Sequence, residues 1–218
     1  MQLEVRTLSE QIFSVIRDRI ISGKVPPDHP IRQEALASEF GCSKIPLREA
    51  LARLEQEGLL ISQANRGFFV RPLSAHEAED IYALRLKIEP DAVGEAADLA
   101  NDEDRSVARA ALDATIERRH EDAGRLNRAF HLALIRPAAK RISARTIEHL
   151  HILSARYVAK HLEPSGRDGQ AVAEHEAILD AWLAGDGAGA ARLSRRHIVQ
   201  TLADLRRQFA ADDRPARN

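Results

Sequence analysis

The segment FGCSKIPLREALARL, residues 40–54, is the most informative part of this sequence. Ser43 is a favourable residue at a helix N-terminus, and Pro46 fits the first turn of the helix that follows. The apolar residues of this helix recur at helical spacing and predict one buried face: Leu47, Ala50, Leu51 and Leu54. We expect the helix to end at Gly58.

The neighbouring residues complete a small mixed domain. A helix is predicted over residues 7–22, where Thr7 and Glu10 can form a capping box, and a short second helix should follow it. The buried face of the first helix is predicted to contain Leu8, Ile12, Val15, Ile16 and Ile20. Two short helices joined by a tight, glycine-containing turn form a helix-turn-helix. The β-prone residues 59–62 and 68–71 flank a polar link and predict a hairpin, which makes the domain a winged helix.

The remaining sequence reads as one helix after another. Ser74 and Glu77 predict a second capping box, at the start of a helix that continues to about residue 100. Pro90 lies inside this helix and is expected to kink or split it near Glu89, because proline removes a backbone hydrogen bond. Further helices are predicted at about 102–120, 123–136, 139–162, 170–184 and 187–210.

The predicted fold is therefore mainly α and has two domains. Residues 1–72 form a winged helix-turn-helix domain with a small β-hairpin, and residues 73–212 form an all-α helical bundle. The polar residues 213–218 are expected to be a disordered tail.

Composition narrows the classes of protein. Among 218 residues, 44% are hydrophobic and 30% are charged, which excludes a disordered chain. Residues 1–72 contain ten Lys/Arg and nine Asp/Glu, so any DNA binding must come from the placement of basic groups and not from their excess. Cys42 is the only cysteine, which excludes an internal disulfide. Because no run approaches the ~18 apolar residues of a membrane helix and no secretory signal is evident, we predict a cytoplasmic protein with no membrane partner.

Basic residues at the start of the third helix predict contact with DNA. Lys44 and Arg48 are four residues apart and project from one face near the end that enters the major groove. Ser43 can donate to a phosphate, and Arg48 can bond guanine N7 and O6. Arg66 and Gly67, at the hairpin tip, are expected to reach the adjacent minor groove. The alternative is a capped surface helix whose charges are simply solvated.

The order of these motifs resembles the GntR-type bacterial transcription regulators. The matching segments, which cover most of residues 8–71, are SGKVPP at 22–27, 36–41, 43–51, Leu54, 57–59, Gly67 and Val70. The family usually has glycine where Pro27 stands and often arginine where Lys44 stands, and a lysine serves phosphate as a point charge without the arginine fork. The resemblance implies a homodimer that binds double-stranded operator DNA.

The second half resembles the all-helical FCD effector domain of the FadR-like subgroup of that family. The matching pieces are Arg85 with Glu89, NRAFH at 127–131, Glu174-His175 and His197. The resemblance implies that Asn127, His131, His175 and His197 bind a divalent metal, with a small organic-acid effector beside it. Asn127 stands where many members have aspartate and offers only a neutral oxygen, so we expect weaker metal binding.

Residue chemistry supports this set of ligands independently. Asn127 and His131 are four residues apart on one helical face, and three imidazoles with one oxygen suit zinc or nickel-like transition metals. Histidines on apolar faces are, alternatively, ordinary core residues. Most of the nine histidines are expected at the surface, His149 and His151 lie on different helical faces, and no ligand partner is evident for His161.

Arg85 has two interpretations. It can clamp an effector carboxylate, or it can form a salt bridge to Glu89, four residues on, on a solvated helix face. Phe130 and Trp182 are predicted to pack in the core of the bundle, and Arg195-Arg196 to lie on a solvated face.

The sequence therefore predicts a metabolite-responsive transcription regulator, a repressor that acts as a homodimer and senses a small carboxylate. We do not expect an enzyme, because no His-Glu-x-x-His motif, nucleophile elbow or phosphate-binding glycine loop is present. A metal-dependent enzyme that uses the histidines, and a helical interaction protein without effector, are the alternatives.

Overall fold

The computed structural model describes residues 7–117, 122–138, 140–162 and 166–212. Contacts divide the chain into two compact units, Met1–Pro72 and Leu73–Asn218. The predicted tail at 213–218 and the last residues of the helix predicted at 102–120 lie outside the described residues. No helix in the described part combines the length and apolar character needed to cross a bilayer.

The first unit contains three helices followed by an antiparallel hairpin, as predicted. These elements are α1 (Leu8–Ile21), α2 (Gln33–Glu39), α3 (Lys44–Gln56), β1 (Leu60–Gln63) and β2 (Gly67–Val70). The capping box of α1 is formed, because Thr7 Oγ1 accepts from the Glu10 N–H at 3.2 Å and Glu10 accepts from the Thr7 N–H at 2.9 Å. In the hairpin, Leu60 pairs with Val70 and Gln63 pairs with Gly67.

The packing of α1 on α3 forms the core of the first unit. All four residues predicted for the buried face of α3 are fully buried. On α1 the prediction is partly wrong, because Leu8 and Val15 are 47% and 40% exposed. Phe13 and Ile21 are buried in their place, which centres the contact face on Ile16.

The second unit is helical throughout its described residues. Its helices are α4 (Ala75–Leu99), α5 (Asp102–Glu117), α6 (Ala123–Ile135), α7 (Arg141–Ala155), α8 (Val158–Leu162), α9 (Arg167–Leu183) and α10 (Gly187–Asp212). The two longest, α4 and α10, pack against each other along their lengths. Phe130 and Trp182 are fully buried in the core, as predicted.

The helix predicted at 139–162 is two helices, because Tyr157 interrupts it. The Tyr157 hydroxyl donates to Glu77 Oε2 at 2.5 Å and accepts from the Ser74 N–H at 3.2 Å. Ser74 Oγ still accepts from the Glu77 N–H at 3.3 Å, but the Glu77 carboxylate contacts Tyr157, so only this half of the predicted capping box is seen. The start of α4 is thereby tied to the α7–α8 junction.

Pro90 does not split α4, which runs unbroken from Ala75 to Leu99, so of the two predicted effects, a kink or a split, the split is wrong. A proline at position 90 leaves the carbonyl of Leu86 without its helical N–H donor. Arg195 of α10 replaces that donor, because its Nη1 lies 3.1 Å from the Leu86 oxygen. Arg195 therefore supplies a hydrogen bond that Pro90 removes from α4, and it is not only part of a solvated face.

This compensation predicts a coupling between Pro90 and Arg195. Arg195→Met should lower the free energy of unfolding by about 1 kcal/mol, the net value of one hydrogen bond. In a Pro90→Ala background the loss should shrink, because the alanine N–H can donate to Leu86 itself. Urea unfolding of the four proteins measures the cycle, and Arg196→Met on the same exposed surface is the control. An equal loss in both backgrounds would contradict the compensation.

Candidate DNA-reading face and metal centre

The start of α3 presents the predicted DNA-reading residues at the surface of the first unit. Ser43, Lys44 and Arg48 are all exposed. Ser43 occupies the N-cap position, but its hydroxyl makes no capping hydrogen bond, so the first N–H groups of α3 remain available to an anion. Arg48 has no ion-pair partner among the described residues.

Lys44 has a partner that sequence reasoning missed. Its Nζ lies 3.0 Å from Glu34 Oε1 on α2. Both side chains are largely exposed, at 63% and 86%, so the pair contributes little and a phosphate can displace it. An ion pair thus joins α2 and α3 at this surface, and the spacing of residues within α3 could not reveal it.

The hairpin carries the other two predicted residues. Arg66 is exposed in the turn, with its guanidinium carbon 5.1 Å from the centroid of the Phe69 ring. Gly67 opens β2 with a φ of +85°, a backbone conformation that favours glycine. The wing therefore places one cation, Arg66, directly before a glycine, where no side chain covers the backbone.

In the second unit, three buried histidines from three helices converge. His131 of α6, His175 of α9 and His197 of α10 each offer a ring nitrogen, and these atoms lie within 4.8 Å of one another. Asn127 lies one turn before His131 and lines a pocket together with His175 and His197. The structure thus brings the three predicted histidine ligands together, and Asn127 lines the pocket beside two of them.

Two of these three histidines lie beside carboxylates. Glu174 Oε2 lies 2.6 Å from His197 Nδ1, and Glu89 Oε1 lies 2.9 Å from His131 Nδ1. A carboxylate beside Nδ1 favours the proton on that nitrogen and leaves the Nε2 lone pair free, as in carboxylate–histidine–metal arrangements. The sequence analysis named Glu89 and Glu174 only as parts of the resemblance to the FCD domain and did not predict this supporting role.

The geometry and protonation of the cluster fit a bound metal. His175 Nε2 lies 3.3 Å from His197 Nε2, close to the ~3.3 Å between two nitrogen ligands of one tetrahedral ion with bonds of about 2.0–2.1 Å. Burial holds the pKa of His131 below its ordinary value and the pKa of His175 and His197 well below it. All three imidazoles are therefore neutral, as metal ligands must be.

Arg85 forms the predicted pair with Glu89, but not on a solvated face. Its Nε and Nη2 donate to Glu89 at 2.8 and 3.1 Å, and both side chains are buried, at 3% and 0% exposure. Nη1 lies 3.3 Å from Ser154 Oγ. Burial is the largest single influence on the pKa of Glu89 and would raise it, but Arg85, His151 and His131 together outweigh burial and lower that pKa well below its ordinary value. The role of Arg85 as an effector clamp stays a prediction.

The expectation that most histidines lie at the surface is wrong for the described ones. Five of the eight are buried: His131, His151, His161, His175 and His197. His151 Nε2 lies 3.1 Å from Glu89 Oε2, and burial lowers the pKa of His151 to about 3. A signal was present, because His151 follows the buried Ile147 by four residues and lies on the same face of α7.

A pocket opens beside the histidine cluster. It encloses about 40 Å³ and is lined by several polar groups, among them Arg85, Asn127, His161, His175, His197 and Thr201. This volume is enough for about two or three water molecules. The site as it stands therefore has room for an ion and a small ligand group.

A winged helix followed by a helical bundle is the architecture of a DNA-binding regulator with a second domain. The family described as "Bacterial regulatory proteins, gntR family" matches residues 8–70, and the FCD domain family matches residues 80–200. The chain belongs to the GntR family and carries an FCD domain. It is a transcription regulator and not an enzyme.

Related proteins agree with this assignment. The chain is 30% identical over 217 residues to the HTH-type transcriptional regulator BphR of Paraburkholderia xenovorans, covering 93% of this chain and 86% of that protein. It is 27% identical to the HTH-type transcriptional repressor GlaR of Escherichia coli, covering 90% and 95% of the two chains. The structure of E. coli McbR/YncC has the same fold, with a TM-score of 0.81 at 23% identity over 94% of this chain and all of that one.

The exposed, unpaired Arg48 predicts a specific loss of DNA binding. Arg48→Ala should weaken binding by about 5- to 150-fold, since one bidentate base contact is worth about 1–3 kcal/mol. Lys44→Ala should weaken binding to all DNA sequences. The slope of the logarithm of the binding constant against the logarithm of the salt concentration should decrease in magnitude by about one. The measurement is fluorescence anisotropy with a duplex selected from a random library by the wild-type protein.

The control is Arg109→Ala, which removes an equally exposed arginine from α5. This variant should bind the selected duplex like the wild type. Unchanged affinity of Arg48→Ala would mean that this side chain does not read DNA.

Proposed function

We propose that this regulator is a repressor that binds its operator as a homodimer and senses a small carboxylate through a divalent metal in the helical unit. The observation that supports the sensing part most strongly is the meeting of three neutral, buried imidazoles from three helices. Glu89 and Glu174 lie beside Nδ1 of two of these imidazoles, those of His131 and His197, which leaves Nε2 of both rings to the cluster.

His131, His175 and His197 would hold the metal, with the Asn127 side-chain oxygen as a fourth ligand. Zinc or a nickel-like ion suits this donor set. When bound, the metal supplies a positive charge that attracts a carboxylate oxygen. Because the four ligands are neutral, none of that charge is cancelled by a direct ligand, and an anionic effector is favoured over a neutral one.

Operator binding by a homodimer follows from the winged helix. Two recognition helices related by a twofold axis read two half-sites of a pseudo-palindromic operator. The relative GlaR is named a repressor, which supports the same direction of control here. For the effector to release DNA, its affinity must differ between the two states of the dimer, typically by about 1–3 kcal/mol.

Metal content tests the sensing part of this proposal. The purified protein should contain close to one zinc or nickel-like ion per chain by elemental analysis, and a His131→Ala/His175→Ala variant should contain none. Adding the ion should raise the melting temperature of the wild type only. His149→Ala, at an exposed histidine of α7, is the matched control and should keep its metal.

Asn127→Asp sharpens the test, because it adds a charge at the fourth ligand. This variant should bind the ion more tightly than the wild type, as measured by competition with a chelator. Absence of metal in the wild type, together with no change of its melting temperature on adding ions, would mean that the histidines are structural. The proposal of operator binding would not be affected by that result. The result would favour the alternative that the second unit is a helical interaction domain without an effector.

A further inference from the structure

His161 on α8 is a buried imidazole that the metal site does not use. It is 4% exposed and lines the pocket beside His175 and His197. Neither of its ring nitrogens has a hydrogen-bond partner among the described residues. Buried polar groups are nearly always satisfied, so this ring is where a ligand is expected.

His161 is not a further metal ligand. The groups of ligand atoms that lie within 4.8 Å of one another in the described chain are His131 with His175 and His197, and Glu89 with His131 and His151. His161 belongs to neither group. His161 therefore lies outside the metal-ligand cluster and faces the pocket beside it.

The surroundings of His161 determine which ring nitrogen carries the proton. Its Nδ1 lies 3.5 Å from Asp204 Oδ2. Arg167 Nε donates to Asp204 Oδ2 at 2.5 Å, and Gln200 Nε2 donates to Asp204 Oδ1 at 3.0 Å. The negative charge favours a proton on Nδ1 and leaves a lone pair on Nε2.

The ring is also uncharged. Burial lowers the pKa of His161 to about 4, and the neighbouring charge of Arg167 acts in the same direction. An uncharged imidazole with its lone pair on Nε2 accepts a hydrogen bond from a ligand. A simple carboxylate offers only acceptors and cannot satisfy it.

We propose that Nε2 of His161 accepts a hydrogen bond from a hydroxyl group of the effector, so that the pocket selects hydroxy acids over the corresponding plain acids. This inference rests on the proposed carboxylate-sensing function. Of the charged residues that line this pocket, Asp168 would attract an ammonium group and Arg85 would repel it. The metal would add a second positive charge, so a hydroxyl suits the pocket better than an ammonium group.

The test compares acetate with glycolate, which differ by one hydroxyl group. Calorimetric titration of the zinc-loaded protein should give tighter binding of glycolate. His161→Phe should reduce that preference by about 3- to 10-fold, the typical net value of one hydrogen bond, while acetate affinity and zinc content stay unchanged. His161→Gln, which places an amide near the Nε2 position, should restore part of the preference, and His161→Asn should not.

The control is His149→Phe, the same change at an exposed histidine, which should leave both affinities unchanged. The inference is overturned if the preference for glycolate is the same in wild type, His161→Phe and His161→Asn. It is also overturned if the variants lose acetate and glycolate affinity in parallel, because that marks a structural role. Failure of the zinc-loaded wild type to bind either acid would overturn the proposed carboxylate sensing as well.

Discussion

The burial of one carboxylate constrains the helical unit more than any other single contact. Glu89 is completely removed from solvent, and a buried charge is costly by several kcal/mol unless it is paired and hydrogen bonded. Arg85 on the same helix neutralises it, and His131 of α6 and His151 of α7 lie within 2.9 and 3.1 Å of its oxygens. Three helices must therefore meet at one point with a fixed rotation, and that rotation points His131 toward the cluster.

A second polar chain supports the other side of the site. Glu174 lies beside His197, Arg167 Nη2 lies 3.1 Å from Glu174, and Arg167 also donates to Asp204. This chain connects α9 with α10 and reaches His161 of α8. The two systems place Glu89, Glu174 and Asp204 behind the imidazoles. The charged side chains that line the pocket itself are therefore Arg85 and Asp168.

In the winged-helix unit, in contrast, the charged side chains of the predicted DNA contacts are exposed and not buried. Its Lys/Arg and Asp/Glu are nearly balanced, and its candidate DNA contacts are exposed and weakly paired. Affinity for a polyanion must then come from the position of a few cations at the start of α3 and in the wing. Stability of this unit rests on apolar packing of α1 against α3, which leaves the opposite face of α3 free to read DNA.

Local patterns in the sequence determined the winged helix, the capping box at Thr7, the buried face of α3 and the helical character of the second half. Such features depend on residues within a few positions of one another, which is the range over which periodicity and caps act. The ligand candidates were predicted from a family resemblance together with the i,i+4 spacing of Asn127 and His131. Only the tertiary structure decided that α4 continues through Pro90, that Tyr157 divides a helix, and that His151 and His161 are buried. Each of these depends on a partner distant in sequence, and helical spacing carries no information about which distant face will supply it.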